Sequence, residues 1–308
     1  MTGPTGATRF LEVDDIDPNQ LALLLDRAVA WKAQPRDVPG LLAGRGVALV
    51  FEKPSARTRT STEMAVFTLG GHPIYIRGEE VGLGERESVE DVARTLGSYC
   101  ALIAARVFDH GTLERMSGAA SVPVVNLLSD RAHPCQALAD LLTIREVLGG
   151  IEGRRLAYVG DGNNVAASLA FGAALSGLEL VVTSPAGFEL DDDVIERARN
   201  LGATVELVSD PYEAVRGADA LYTDVWTSMG QESETEARRV AFAGYQVDAA
   251  LLAAAGPDAV VLHCLPAHRG EEIAADVLDG PRSVVWRQAE NRMHAVRSLI
   301  ALLLEGGA

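Results

Sequence analysis

Six short stretches of this 308-residue chain carry side chains able to bind an anion, donate to a carbonyl or hold an amine. Ser55-Ala56-Arg57-Thr58-Arg59 stands shortly after the apolar run Gly46-Val47-Ala48-Leu49-Val50. A helix opening there presents unpaired N–H groups and the positive end of its dipole, and both favour an anion. Ser55 is a competent N-cap, and Arg57 offers a planar fork matched to phosphate oxygens. The same residues also suit a capped surface helix whose arginines pair with nearby acids. His133-Pro134-Cys135-Gln136 brings an imidazole that can donate to a carbonyl oxygen and an amide that both donates and accepts; alone, it equally suits a structural histidine. Gly160-Asp161-Gly162-Asn163-Asn164 matches the first half of a dinucleotide fingerprint. Val165 occupies the third glycine position, however, and the next strand runs into Ser184-Pro185-Ala186 with no acid. The dinucleotide reading fails on both counts, leaving a tight turn that offers amide side chains to a sheet's carboxyl edge. Asp224-Val225-Trp226-Thr227-Ser228-Met229-Gly230 supplies an acid and a hydroxyl able to hold an ammonium group. In His263-Cys264-Leu265-Pro266-Ala267 the first two side chains point to opposite faces of a strand, which disfavours a covalent Cys–His pair. Glu290-Asn291-Arg292 is expected at the start of the last helix, where by itself it suits a capping turn.

The elements that must position these residues follow a βα alternation. Strands are predicted at Val47–Phe51, Ile74–Ile76, Leu102–Ala104 and Val122–Asn126, then at Leu156–Val159, Leu180–Thr183, Val205–Val208, Ala220–Thr223, Val260–His263 and Val284–Trp286. Strands separated by helical patterns are the mark of βαβ crossovers and mainly parallel sheets. Asp17-Pro18 reads as a cap and first residue of a helix. The stretch QALADLLTIREVLGG reads as a linking helix, with Gly149-Gly150 as its stop. The closing AENRMHAVRSLIALLLE carries its leucines on one stripe. The fold class expected is α/β: two domains, each with a mainly parallel sheet flanked by helices, joined by a linking helix and a C-terminal helix.

Composition narrows the partners. With 27 basic against 43 acidic side chains the formal charge is −16. Such a surface repels nucleic acid and anionic membrane, so neither is expected as a partner. A small anion needs a local cationic pocket. Three cysteines, Cys100, Cys135 and Cys264, form no CxxC pair and fit a reducing compartment. No apolar run is long enough to span a bilayer, and MTGPTGATRF lacks a secretory layout. A cytoplasmic location is expected.

Taken in order, SxRTR, HPxQ, GDGNN, DxxxSMG, HCLPAHRG and AENRMH resemble the ornithine carbamoyltransferases, from about Gly46 to the C-terminal helix. SxRTR, HPxQ and ENR are shared in variant forms with the wider aspartate/ornithine carbamoyltransferase superfamily; DxxxSMG and HCLP mark the ornithine branch. The resemblance implies transfer of the carbamoyl group of carbamoyl phosphate to the side-chain amine of L-ornithine, giving L-citrulline and phosphate. It implies no metal and no cofactor, and a homotrimer with sites at subunit boundaries. It implies that residues 1–134 bind carbamoyl phosphate, that the helix over 289–308 packs back on them, and that residues 135–288 bind ornithine. Ser55, Ala56, Arg57 and Thr58 are then the phosphate cradle. Arg106 and His133 meet the carbamoyl oxygen and Gln136 the carbamoyl amide, with Cys264, Leu265 and Arg292 completing the set. Asn164 and Met229 match the family's contacts to the amino-acid carboxylate, and Asp224 and Ser228 those to its α-ammonium. Cys264, Asp224, His133 and Arg106 are the implied catalytic residues.

Two positions depart from the family pattern. Ala56 stands where threonine is usual, and Gly82 where a glutamine reaches a neighbouring subunit's carbamoyl phosphate; Glu79, Glu80 and Arg86 are the nearby candidates to replace it. Weaker carbamoyl phosphate binding or a shifted role is the expectation. A paralogue acting on another amine, and a non-catalytic carbamoyl-phosphate-binding regulator, are the alternative readings.

Overall fold

The computed structural model describes residues 9–84, 86–227 and 232–306. Ten strands alternate with helices. In chain order, β1 is Arg9–Phe10, α1 Pro18–Ala33, β2 Gly46–Phe51, α2 Ala56–Thr68, β3 His72–Arg77, α3 Gly78–Val81, α4 Val89–Tyr99, β4 Cys100–Arg106, α5 His110–Ala119, β5 Val124–Leu128 and α6 Pro134–Leu148. There follow β6 Arg155–Val159, α7 Asn164–Ser176, β7 Glu179–Thr183, α8 Asp192–Asn200, β8 Thr204–Leu207, α9 Pro211–Ala214, β9 Ala220–Thr223, α10 Thr235–Ala241, α11 Ala249–Ala255, β10 Val260–His263, α12 Ala275–Leu278 and α13 Val285–Gly306. The chain divides into two compact units. The first runs to Ala139 and resumes at Arg292; the second is Asp140–Asn291. Both changes of unit therefore fall inside helices, α6 and α13.

The first unit holds a parallel five-stranded sheet in the order β1-β5-β4-β2-β3. Every residue of β4 is buried. A run apolar on both faces is what a parallel sheet covered by crossover helices requires. Its core gathers Ala48, Val50, Ile103 and Ala105 from the strands against Val89, Ala93, Leu113 and Met116 from α4 and α5. The direction of winding reverses where β4 pairs with β2 after β3 has gone the other way. At such a switch point the carboxyl ends of adjacent strands splay their loops and leave room for a ligand. Phe51 pairs with Arg106 there.

The second unit repeats the arrangement with the order β10-β9-β6-β7-β8. Its switch point lies where β9 pairs with β6, and Thr223 Oγ1 closes that end by donating to the Val159 carbonyl at 2.7 Å. Ala157, Val159, Leu221 and Val261 pack against Leu251, Leu252, Val277 and Leu278. One predicted strand is not formed: Val284 donates to the Val261 carbonyl, but Val285 already begins α13. The β-branched run completes one rung beside β10 and then turns helical. No helix among the described residues is long and apolar enough to cross a membrane.

Candidate active site

In the first unit the loop after β2 delivers Ser55 as the N-cap of α2. Its hydroxyl accepts from Thr58 N at 3.3 Å and donates to Thr58 Oγ1 at 3.1 Å. The local sequence dictates this, because an N-cap serine meets the backbone three residues on. Thr58 is 1% exposed, and its hydroxyl also accepts from Arg106 Nη1 at 3.4 Å and from Arg292 Nη2 at 2.8 Å. Arg106 is the last residue of β4, and Arg292 comes from α13. A strand end, a helix cap and a distant helix thus bring two buried guanidinium groups to one hydroxyl. Arg57 and Ala56 lie exposed on the first turn of α2, where the open N–H groups and the dipole favour a phosphate.

His133 precedes Pro134 at the start of α6 and is buried. Burial, then the charges of Arg292 and Arg106, hold its imidazole well below the ordinary range. It is a neutral ring, and therefore an N–H donor that carries no net charge into a cationic site. The loop that presents it is fastened by Asn126, whose amide donates to the carbonyls of Leu11 and Ala132 at 2.9 Å and 3.4 Å. Gln136, also buried, lies one position beyond Cys135. The Cys135 thiol donates to the Asn126 carbonyl at 3.3 Å, and burial pushes its pKa up to about 12. Within HPxQ the cysteine is thus a packing residue.

In the second unit the switch-point loops assemble a compact set. Asp224, just past β9, receives the Cys264 thiol at 2.8 Å on Oδ1 and the Asn163 amide at 2.9 Å on Oδ2. Its own loop adds Val225 N at 2.8 Å. Asn163 is the N-cap of α7, so its oxygen accepts from Val165 N and Ala166 N while its nitrogen grips Asp224. The buried Tyr158 hydroxyl donates to the same oxygen at 3.2 Å; burial first, then Asp224, keeps that phenol protonated. Asn164, the predicted carboxylate ligand, is half-buried in the first turn of α7. Ser228 and Met229 lie outside the described residues. Leu265 is half-buried and has φ of 59°, a left-handed conformation that a branched side chain rarely adopts.

His263 and Cys264 do not act as a bonded pair. His263 Nδ1 accepts from Leu265 N at 2.9 Å, and Nε2 meets the Glu272 carboxylate at 3.1 Å. That carboxylate, fully buried, fixes which ring nitrogen carries the proton. The sequence reading did not single out Asn163, Tyr158, Glu272 or Arg238. Buried Arg238 binds Asp161 Oδ2 at 2.8 Å and the Trp226 carbonyl at 3.0 Å. Only the twin asparagines of GDGNN hinted at one of these, and residue type alone does not say which of the two caps the helix.

The predicted carbamoyl-phosphate residues Ser55, Ala56, Arg57, Thr58, Arg106, His133, Gln136 and Arg292 all fall in the first unit; Cys264 and Leu265 fall in the second with Asn164 and Asp224. Comparison with known proteins follows the same division. The carbamoyl-P binding domain of the Aspartate/ornithine carbamoyltransferase family matches residues 8–146, and that family's Asp/Orn binding domain matches residues 152–303. The ornithine carbamoyltransferase of Acidothermus cellulolyticus is 54% identical over 300 residues, covering 96% of each chain. The solved ornithine carbamoyltransferase of Pyrococcus furiosus superposes with a TM-score of 0.93 at 45% identity, covering 99% of each chain. The one from Thermus thermophilus gives 0.88 at 48% identity, over 97% of this chain and 100% of that one. Both family domains, in order and over nearly the whole length, meet the two switch-point sites, and the chain belongs to the aspartate/ornithine carbamoyltransferase family.

Proposed function

We propose that this chain moves the carbamoyl group from carbamoyl phosphate to the side-chain amine of L-ornithine, yielding L-citrulline and phosphate. The observation that carries the reading is the pairing of chemistries. One switch point gathers buried guanidinium groups around Thr58 with a neutral imidazole close by, and the other gathers a carboxylate, an amide and a thiol. The first suits a phosphate and a carbonyl oxygen that becomes negative; the second suits an amine.

The phosphate is held by Ser55, the N–H groups from Ala56 onward, Arg57 and Thr58. Arg106 and His133 face the carbamoyl oxygen, Gln136 its amide, and Arg292 and the Leu265 carbonyl complete the cradle. As the amine attacks the carbonyl carbon, charge grows on that oxygen. Donors already in place stabilise it without reorganising, typically the largest catalytic contribution in such sites. An alkyl amine is mostly protonated near neutral pH, so Asp224 and Cys264 hold it while a proton leaves. The C–N bond forms, the C–O bond to phosphate breaks, and the departing phosphate accepts the proton lost by the amine. Asn164 and Met229 hold the amino-acid carboxylate; Asp224 and Ser228 hold the α-ammonium. Keeping both reactants bound together removes most of the entropic cost of their encounter.

The enzyme works as a homotrimer in the cytoplasm, in arginine biosynthesis. Exposed Met64 and Phe67 on α2 and Ile74 on the edge strand β3 support self-association, and the three free cysteines support a reducing compartment. The deciding assay is product formation from carbamoyl phosphate with ornithine, beside aspartate, putrescine, lysine and N-acetylornithine. Selective citrulline formation is expected. Preference for another amine makes the protein a paralogue, and carbamoyl phosphate binding without turnover makes it a regulator.

A further inference from the structure

Strand β10 is an edge of its sheet, yet its outer side is covered. Val261 N donates to the Arg282 carbonyl at 2.9 Å, and Val284 N donates to the Val261 carbonyl at 2.9 Å. At the next outward-facing N–H, two residues on, the covering chain has turned into α13 and a side chain takes over. His263 N donates to Gln288 Oε1 at 2.8 Å. The Gln288 amide nitrogen donates to Asp140 Oδ1 at 2.7 Å and to the Tyr222 hydroxyl at 3.2 Å. Gln288, Asp140, Tyr222 and His263 are all buried. One planar amide thus meets a backbone donor, a carboxylate and a phenol, a combination that its one acceptor and two donors match. Neither a carboxylate nor an apolar side chain of that size can do so. The anchored residue immediately precedes Cys264, whose thiol bonds Asp224.

We propose that Gln288 is a positioning residue, acting through the His263 backbone to set the reach of the Cys264 thiol toward Asp224 and the amine; this rests on the reading that those two groups receive the amine. The brace is an amide substitute for a missing strand, and its partner Asp140 decides which side chain can serve.

Gln288→Glu keeps an acceptor for His263 N but sets two carboxylates against each other, and such a pair shares a proton only under acid conditions. Its kcat relative to the unmodified enzyme is expected to fall by about tenfold to a hundredfold between about pH 6 and about pH 9, with KM for carbamoyl phosphate held within about twofold. Adding Asp140→Asn exchanges donor for acceptor and is expected to restore kcat and flatten the ratio. A second readout needs no turnover. The rate of Cys264 alkylation by iodoacetamide, followed on its peptide by mass spectrometry, should change by about threefold or more in Gln288→Glu and return in the double variant, while Cys100 and Cys135 stay protected. Gln288→Met, of similar volume, should show the same change in alkylation if Gln288→Glu does not fold. Unchanged kcat and thiol rate in a folded single variant overturns the proposal, as does a folded double variant that recovers neither. Absence of citrulline formation by the unmodified chain would fell the proposed function and leave the alkylation test standing.

Discussion

The Thr58 hydroxyl accepts from Arg292 and Arg106 and receives the Ser55 hydroxyl as well. Three donors crowd a group with two lone pairs, so an arriving phosphate oxygen finds donors ready to turn to it. Thr58→Val keeps the shape and removes that acceptor; hydrogen bonds to charged groups contribute about 1.5–3 kcal/mol, so KM for carbamoyl phosphate should rise about tenfold or more while Thr58→Ser stays close to the starting value. Steady-state kinetics at saturating ornithine decide it. At the amine side, Asp224→Asn leaves Asn163 and the Cys264 thiol without their shared carboxylate. A loss of about a hundredfold or more in kcat, with carbamoyl phosphate binding by calorimetry unchanged, is expected. Gly82 behaves differently from what its place in the family pattern suggests. Its φ is 59°, and an added Cβ would lie 2.7 Å from the Arg86 Cβ. Gly82→Gln alone therefore strains the loop. Arg86→Gly removes the obstructing side chain though not the left-handed strain, so Gly82→Gln with Arg86→Gly is compared with Arg86→Gly alone: a lower KM for carbamoyl phosphate is expected in the pair, and equal KM values would show that the departure costs nothing.

Elements fix these side chains through contacts at their ends. Asp161, in the turn after β6, sits with Arg238 of α10, and Arg238 also holds the Trp226 carbonyl beyond β9. Burial pushes the Asp161 carboxyl up to about 6 despite its cationic partner. As pH falls through that value the carboxyl takes up a proton and the bond to Arg238 loses its charge assistance. With Trp31 and Trp286 replaced by phenylalanine, Trp226 fluorescence should shift with a midpoint near pH 6, and Asp161→Asn should abolish the transition. Much of this scaffold was readable in advance. The strands Ala220–Thr223 and Val260–His263 have the predicted limits, because apolar runs bounded by loop signals leave a buried parallel strand few alternatives. Asp17-Pro18 starts α1 as its cap chemistry requires, with Gln20 closing the box. Val284–Trp286 was misread because β-branched propensity is a weak prior that tertiary context overrides. At the candidate site, the chemistry of Ser55, His133, Asp224 and Cys264 was legible from the residues themselves, and Arg106 came only from the family resemblance. Glu272, Arg238 and Gln288 were not, since their roles come from partners distant in sequence and their types are ordinary on a surface.

At the scale of the molecule, a formal charge of −16 surrounds the site proposed to take an anion. Groups proposed to hold a phosphate must therefore be local and dense, which the meeting of Arg106 and Arg292 at one hydroxyl in the first turn of α2 supports. The exposed apolar side chains of the first unit bear on assembly. Phe67 is 65% exposed, beside Met64 and Ile74 at 41% and 37%. Sedimentation should report a particle about three times the 32.6 kDa chain mass, and Phe67→Glu should shift it toward the single chain. The Thr58–Arg292 contact joins residues 234 positions apart. During synthesis on the ribosome, β2, β4 and His133 emerge long before α13. The nascent first unit can pair its strands early, but Thr58 gains its Arg292 partner only after Arg292 has left the exit tunnel. Loop-closure entropy makes so distant a contact late in folding as well. A chain made only as far as the first sheet thus lacks Arg292, and the anion site proposed around Thr58 is complete only once α13 has been added.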